Sequence, residues 1–319
     1  MSRPSSSRLA AAFTEYGIIV AFVVEVIVFS IASEHFLTIA NLTNVTLQTS
    51  VLAIIAAGMT FVILTAGIDL SVGSLVAISG VVCALLLKAQ APLPVVIGLG
   101  LLGGIAVGLL SGLLSGVVIA RFSVTPFIAT LAMMTIWRGA AYLLVGGRPV
   151  WGLPEAFDFL GSGRLAGIPF PTAVMLCVYA VAWFVLAHTP FGRYVYAVGG
   201  NPEAARLAGI RTSRVIVLVY VISGVLAAIS GILLASRMSS GQPNAGLMFE
   251  LEVIAAVVVG GTSLFGGRGG IVGTFVGAML IGVLRNGLNL VGVGSYVQQV
   301  VLGFVILLAV MLDQLRKQS

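Results

Sequence analysis

Charge is scarce in this sequence. Asp, Glu, Lys and Arg make up 8% of its 319 residues, whereas a soluble globular domain carries about a quarter. So little charge excludes a soluble enzyme. It also excludes a disordered chain, which combines high charge with low hydrophobicity. Lysine is rarest: Lys88 follows Leu87, and Lys317 follows Arg316. A P-loop needs Gly-Lys-Ser/Thr to hold phosphates, so any ATP that drives this chain must bind another subunit. His35 and His188 are the two histidines, and Cys83 and Cys177 the two cysteines. Neither type clusters at metal-ligand spacing, so no metal site and no catalytic group is expected. Both cysteines fall in apolar runs, which favours inert thiols in lipid over a disulfide framework.

What fills the chain is apolar: 59% of residues are hydrophobic and the mean hydropathy is +1.17. A membrane span needs ~20 such residues. Ten apolar runs answer that description, at 16–33, 47–67, 71–89, 93–120, 124–145, 169–188, 214–236, 251–266, 270–290 and 296–312. The expected fold is therefore all-α and polytopic. A cytoplasmic tail (1–15) precedes a single transmembrane domain (16–313), and a short tail (314–319) follows it. The first run, after Arg3 and Arg8, resembles a signal peptide, with small residues at Ser30-Ile31-Ala32. Nine further spans exclude export of a soluble product.

The formal net charge of +6 is spread between the apolar runs, which points to orientation in a bilayer and not to nucleic acid. With ten spans, Arg3, Arg8, Arg121, Arg193, Arg206, Arg211, Arg214, Arg268, Arg316 and Lys317 share one side. Lys88, Arg148, Arg164 and Arg237 fall on the other, and Arg138 and Arg285 lie within spans. This bias puts both termini in the cytoplasm.

On that topology the loops 146–168 and 237–250 lie outside, either as docking surfaces or as plain connectors. The inner segment 189–213 differs in kind. Gly199-Gly200-Asn201 signals a turn. Asn201 suits an N-cap, Pro202 the first helical position, and Glu203 the positive end of a helix dipole. Glu203 to Leu207 reads as a short helix that Gly209 ends. So short a helix is marginal alone and needs a dock.

Gly100, Gly104, Gly108, Gly112 and Gly116 recur every four residues beside Ser111 and Ser115, and Gly269, Gly273 and Gly277 do likewise. Such stripes let helix backbones approach. They serve packing or, in a moving transporter, a sliding surface. Gly67-Ile-Asp-Leu-Ser-Val-Gly73 and Gly261-Thr-Ser-Leu-Phe-Gly-Gly267 share the spacing G-x-x-L-x-x-G. They mark two places where helices break, and broken helices often line transport sites. Glu25 sits mid-span and reads as a helix-contact residue, hydrogen-bonded or protonated. Asp69, Glu250 and Glu252 sit at span ends, where solvation is easy. Gln48, Thr65, Asp69, Asn286, Asn289 and Gln298 are candidates for a hydrophilic lining that exchanges hydrogen bonds with a neutral solute. No relay of intramembrane carboxylates is evident, which counts against a proton-driven carrier.

Five stretches carry a resemblance: GMTFVILTAGIDLSVGSL (58–75), FIATLAMM (127–134), GRYVYAVGGNPEAARLAGI (192–210), ELEVIAAVVVGGTSLFGGRGGIVGT (250–274) and NGLNLVGVGSYVQ (286–298). From about residue 36 to residue 313 the chain resembles permease subunits of bacterial ABC importers for ribose and related monosaccharides. The resemblance implies an inner-membrane homodimer with the path at or near its interface. It implies a cytosolic ATPase subunit that holds Mg-ATP, a periplasmic sugar-binding protein, and no cofactor in this chain. It makes Gly200, Asn201, Pro202, Glu203, Ala204, Ala205, Arg206, Leu207 and Gly209 the coupling helix seated in a cleft of the ATPase. Glu252 departs from the pattern, since related permeases commonly carry Asp in an E-L-D run. The expected function is import of ribose or a similar sugar. The rivals are another small polar cargo (a polyol, nucleoside, signalling sugar or branched-chain amino acid), an ion-coupled carrier, and a receptor that transports nothing.

Overall fold

The computed structural model describes residues 6–318. Residues 1–5, with Arg3, and Ser319 lie outside the described residues, so the outer ends of both expected tails are not described. In chain order the helices are α1 (Ser6–Ala32), α2 (Ile39–Leu64), α3 (Val72–Leu87), α4 (Leu93–Phe122), α5 (Pro126–Val145) and α6 (Glu155–Ser162). A two-residue hairpin follows, β1 (Arg164–Leu165) with β2 (Ile168–Pro169). Then come α7 (Phe170–His188), α8 (Pro190–Gly200), α9 (Pro202–Leu207), α10 (Thr212–Arg237), α11 (Phe249–Val259), α12 (Ile271–Leu290) and α13 (Ser295–Gln318).

The protein is thus an all-α, multi-span fold. Six helices are long and apolar enough to cross a membrane among the described residues: α2, α4, α5, α7, α10 and α12. Gly17–Ala32, Val72–Leu87 and Ser295–Leu308 are shorter apolar helical stretches. The run expected at 251–266 is cut short. Its helix α11 has 11 residues and spans about 16 Å, against ~30 Å of bilayer hydrocarbon. It stops because Gly261, just after the cap residue Gly260, leaves helical geometry at φ +86°, and Thr262 N–H turns back to the Val257 carbonyl at 3.1 Å.

Other boundaries move outward from the apolar runs. α1 begins at Ser6, so 6–15, expected as tail, is helical. Residues such as Leu9 to Ala12 are strong helix formers whether or not they are apolar enough for lipid. Likewise α13 continues to Gln318 through the expected C-terminal tail. α2 begins at Ile39, eight residues before its run, where Thr38 caps it by accepting from Asn41 N–H at 3.3 Å. Hydropathy locates lipid-compatible segments, whereas caps and propensities set helix ends.

The two expected outer loops are joined. Val150 and Gly241 exchange backbone hydrogen bonds at 2.8 and 3.0 Å. Asp158 of α6 accepts from Ser239 Oγ at 2.8 Å, and the Phe157 carbonyl accepts from Ser236 Oγ at 2.6 Å. Arg138, the in-span cation of α5, donates to the carbonyls of Pro243 and Ala245 at 2.9 and 2.7 Å. Its charge is thereby spent on holding the loop after α10.

α2 is buried continuously from Thr49 to Leu64, as expected of a segment that is apolar nearly all round. It packs against α10, α12 and α7, while α3 and α4 close on α10 from the other side. The glycines of α4 make a tight seam with α10. A Cβ at Gly108 would lie 2.6 Å from Ala228 Cβ, one at Gly112 would lie 2.7 Å from Val221 Cα, and one at Gly116 2.7 Å from Val217 Cα. Gly104 faces Ile232 in the same way, at 2.9 Å. On α12, Gly273 and Gly277 press on Gly260 and Ala256 of α11. The outward faces of α4, α5 and α7 are apolar and exposed, with Leu102, Leu109, Leu143 and Phe184 among them. Cys83 is buried, and Cys177 is exposed on α7.

Candidate functional site

Two features hold the candidate residues: a short capped helix, and the junction next to it. α9 forms where the sequence calls for it. Asn201 Oδ1 accepts from Ala204 N–H at 3.0 Å, and Pro202 opens the helix. At the other end, Gly209 at φ +84° donates to Arg206 O and Ile210 N–H to Ala205 O, each at 3.0 Å. This paired closure is a Schellman motif, and its left-handed position favours glycine. Ala205 is buried and fixes one face. Glu203 and Arg206 pair at 3.1 Å on the surface, and Leu207 is 83% exposed. The two caps thus leave this leucine facing outward at the end of the short helix.

Sequence reasoning missed α8. Thr189 caps it, accepting from Gly192 N–H at 3.2 Å, and Pro190 occupies its first turn. The Thr-Pro pair is an N-terminal signal that could have located it. α8 carries the functional consequence, because its end lies on both helix breaks. The first break, at 65–71 after α2, and the second, at 260–270 after α11, meet through a hydrogen bond from Gly267 N–H to Leu64 O at 2.9 Å. Gly199 sits on that bond, and a Cβ there would overlap Leu64 O and lie 2.6 Å from Gly267 N. Tyr196 Oη adds a hydrogen bond to Gly269 O at 3.0 Å. Gly266 and Gly267 hold φ of +80° and +70°, so the close approach and the backbone geometry both exclude larger residues there. α9 therefore begins three residues after Gly199, where three chain segments touch.

The first break is pinned by Asp69. Expected at a solvated span end, Asp69 is instead 1% exposed. Its Oδ1 accepts from Ser71 N–H at 3.0 Å and Ser71 Oγ at 2.6 Å, and its Oδ2 accepts from Ser223 Oγ of α10 at 2.8 Å. Tyr220 and Thr130 both donate to Ile68 O at 3.2 Å. Burial is tolerated because every carboxylate oxygen has a donor. Asp69→Leu leaves those donors unmatched and is expected to cost roughly 2–4 kcal/mol. Asp69→Asn keeps the shape and one acceptor and should cost less. Thermal melting of the solubilised protein checks the order.

The six candidate lining residues do not share one surface. Asn286 forms a reciprocal amide pair with Asn41, both bonds 2.9 Å. Gln298 donates to Asn289 at 2.7 Å. Thr65 donates to Val62 O at 2.8 Å, within its own helix end. Gln48 lines a cavity of about 110 Å³ between α2, α10, α11 and α12. Glu252, also expected at a solvated end, is 3% exposed on that cavity and paired with Arg285. Both carboxylate oxygens of Glu25 are buried with no hydrogen-bond partner among the described residues, so its hydrogen-bonded form is not seen.

Residues 41–310 match the family model described as the branched-chain amino acid transport system / permease component. The chain belongs to this permease family. Within it the chain is 48% identical over 299 residues to the ribose import permease protein RbsC of Escherichia coli (strain K12), covering 92% of each chain. It is 46% identical to RbsC of Bacillus subtilis (strain 168), over 92% of this chain and 90% of that one. Identity is 38% to the E. coli D-allose transport system permease protein AlsC, over 97% and 94%. No solved structure matches the chain. Membership in the family and the apolar helices together make this a multi-pass protein of the inner membrane.

Proposed function

We propose that this chain is the membrane-spanning permease subunit of an ATP-binding-cassette importer for a monosaccharide, ribose or a related pentose. The observation that carries the reading is near-full-length identity of 46–48% to ribose import permeases. The lower identity to the allose permease favours ribose over a hexose.

In this reading ten spans cross the membrane, with α11 and the breaks beside it counted as one discontinuous crossing, and both termini lie in the cytoplasm. Two copies of the chain form a homodimer, with the apolar faces left open on α4, α5 and α7 meeting lipid or the second copy. α9 is the coupling helix, and Leu207, Glu203 and Arg206 meet the ATPase. The joined loops 146–168 and 237–250 receive the sugar-binding protein. Mg-ATP binds the ATPase partner, and this chain performs no chemistry. Movement imposed on α9 reaches both helix breaks through α8, because Gly199 and Tyr196 tie that helix to each. Loaded binding protein delivers the sugar, so the permease needs little affinity of its own.

Cargo is tested in proteoliposomes carrying the permease, its ATPase and its binding protein. Labelled ribose is expected to accumulate with ATP, with excess D-allose competing poorly. Accumulation of leucine in place of ribose would overturn the sugar assignment.

A further inference from the structure

The cavity between α2, α10, α11 and α12 is chemically unusual for an intramembrane space. Three of the residues that line it each carry a buried polar atom with no hydrogen-bond partner among the described residues: Thr49 Oγ1, Arg237 Nη1 and Glu252 Oε2. They come from three different helices. Thr49 and Glu252 are each 3% exposed. Polar atoms left unpaired in a low-dielectric interior are costly, and a structure keeps them where something else satisfies them. Glu252 Oε1 is already held by Arg285, so one oxygen is fixed and the other is buried without a donor. Gly282 shapes the floor, where a Cβ would overlap Thr49.

The unpaired set is one donor, one acceptor and one hydroxyl that can be either. An anion would satisfy Arg237 and be repelled by Glu252. A cation would do the reverse. A purely apolar group would satisfy none of the three. A neutral polyol satisfies all three, because each hydroxyl donates and accepts at once. Phe249 also lines the space, and an aromatic side chain suits the C–H surface of a sugar. The cavity is partly open, so an edge of the molecule can enter while the remainder stays outside.

We propose that this cavity is a sugar subsite of the permease. Arg237 and Thr49 donate to adjacent hydroxyls of a monosaccharide, and Glu252 accepts from one of them. The inference rests on the monosaccharide reading above. It places the first intramembrane contact at the end of α10, where the chain leaves for the loop that meets the binding protein. A free amino acid is the rival occupant, since its carboxylate and ammonium would also match Arg237 and Glu252.

The test uses the complete importer in proteoliposomes and reads sugar moved per ATP hydrolysed, with hydrolysis stimulated by ribose-loaded binding protein. Thr49→Val and Glu252→Gln keep side-chain volume and remove one partner each. Both are expected to lower the ratio about tenfold, with Glu252→Asp retaining most of it. A purely structural role would lower stimulated hydrolysis and uptake together and leave the ratio unchanged, which would overturn the proposal. If these variants fail to assemble, Thr49→Cys in a background with Cys83 and Cys177 replaced by serine provides a second readout. Ribose should slow labelling of that thiol by a small methanethiosulfonate. Equal labelling with and without ribose would overturn the subsite, and slowing by leucine alone would assign it to the rival. If wild-type complexes move no sugar at all, the monosaccharide reading fails first, and the two failures are told apart.

Discussion

Gly108→Leu will prevent folded permease from accumulating in the membrane, whereas Gly98→Leu on the same helix will be tolerated. A side chain at Gly108 would run into the Gly224 carbonyl and the Ala228 methyl of α10. The contact is reciprocal, because a Cβ at Gly224 would overlap the Gly108 carbonyl. Neither partner is a flexible chain end that can swing aside, so two backbones must separate. Overpacking of an ordinary core costs about 1–3 kcal/mol, and separating two helix backbones exceeds that, against a total stability of about 5–15 kcal/mol. Gly98 has open space around it, so its substitution controls for the general effect of leucine on α4. Size-exclusion profiles of the solubilised variants check the contrast. Equal recovery of both would show that the α4–α10 seam is not a stability element.

The second large effect separates docking from coupling. Deleting residues 201–207 removes Asn201, Pro202 and the exposed Leu207. The truncated chain is expected to insert but to lose its ATPase in pull-downs. Gly199→Val leaves α9 and both its caps intact, so the ATPase should remain bound. It forces α8 off the bond between Gly267 N–H and Leu64 O, and uptake should fall at least about tenfold while ATP hydrolysis persists. Gly200→Ala meets nothing within 4 Å and should behave as wild type. If Gly199→Val transported normally, the route from α9 to the helix breaks would lie elsewhere.

Features that depend on a few neighbouring residues are legible in the amino-acid sequence. Asn201, Pro202 and Gly209 foretell α9 because caps act within one turn. The Gly104 to Gly116 stripe foretells a close contact, since spacing of four puts those residues on one face. Gly67–Gly73 and Gly261–Gly267 foretell the two breaks, although nothing local says that they touch. What escapes depends on which helices become neighbours. Asp69 reads as solvated because its flanks are loop-like, yet Ser223, 154 residues away, buries it. Arg285 falls within an apolar run, and an intramembrane cation needs a partner. That rule says a partner exists, but only packing of α11 on α12 identifies it as Glu252. The cavity is likewise a product of four helices: Gln48, Glu252 and Arg285 stand out in the sequence, but nothing local says that they share it. α8 is obscured because its Gly199-Gly200 end reads as a turn.

The central claim is that this chain is a gate moved by an ATPase on its inner face. The most direct measurement is vectorial ribose accumulation in proteoliposomes, first with purified permease alone under proton and sodium gradients. ATPase, binding protein and ATP are then supplied together. Accumulation should be absent in the first condition and appear only in the second. Concentrative uptake by the permease alone would contradict the claim and identify an ion-coupled carrier.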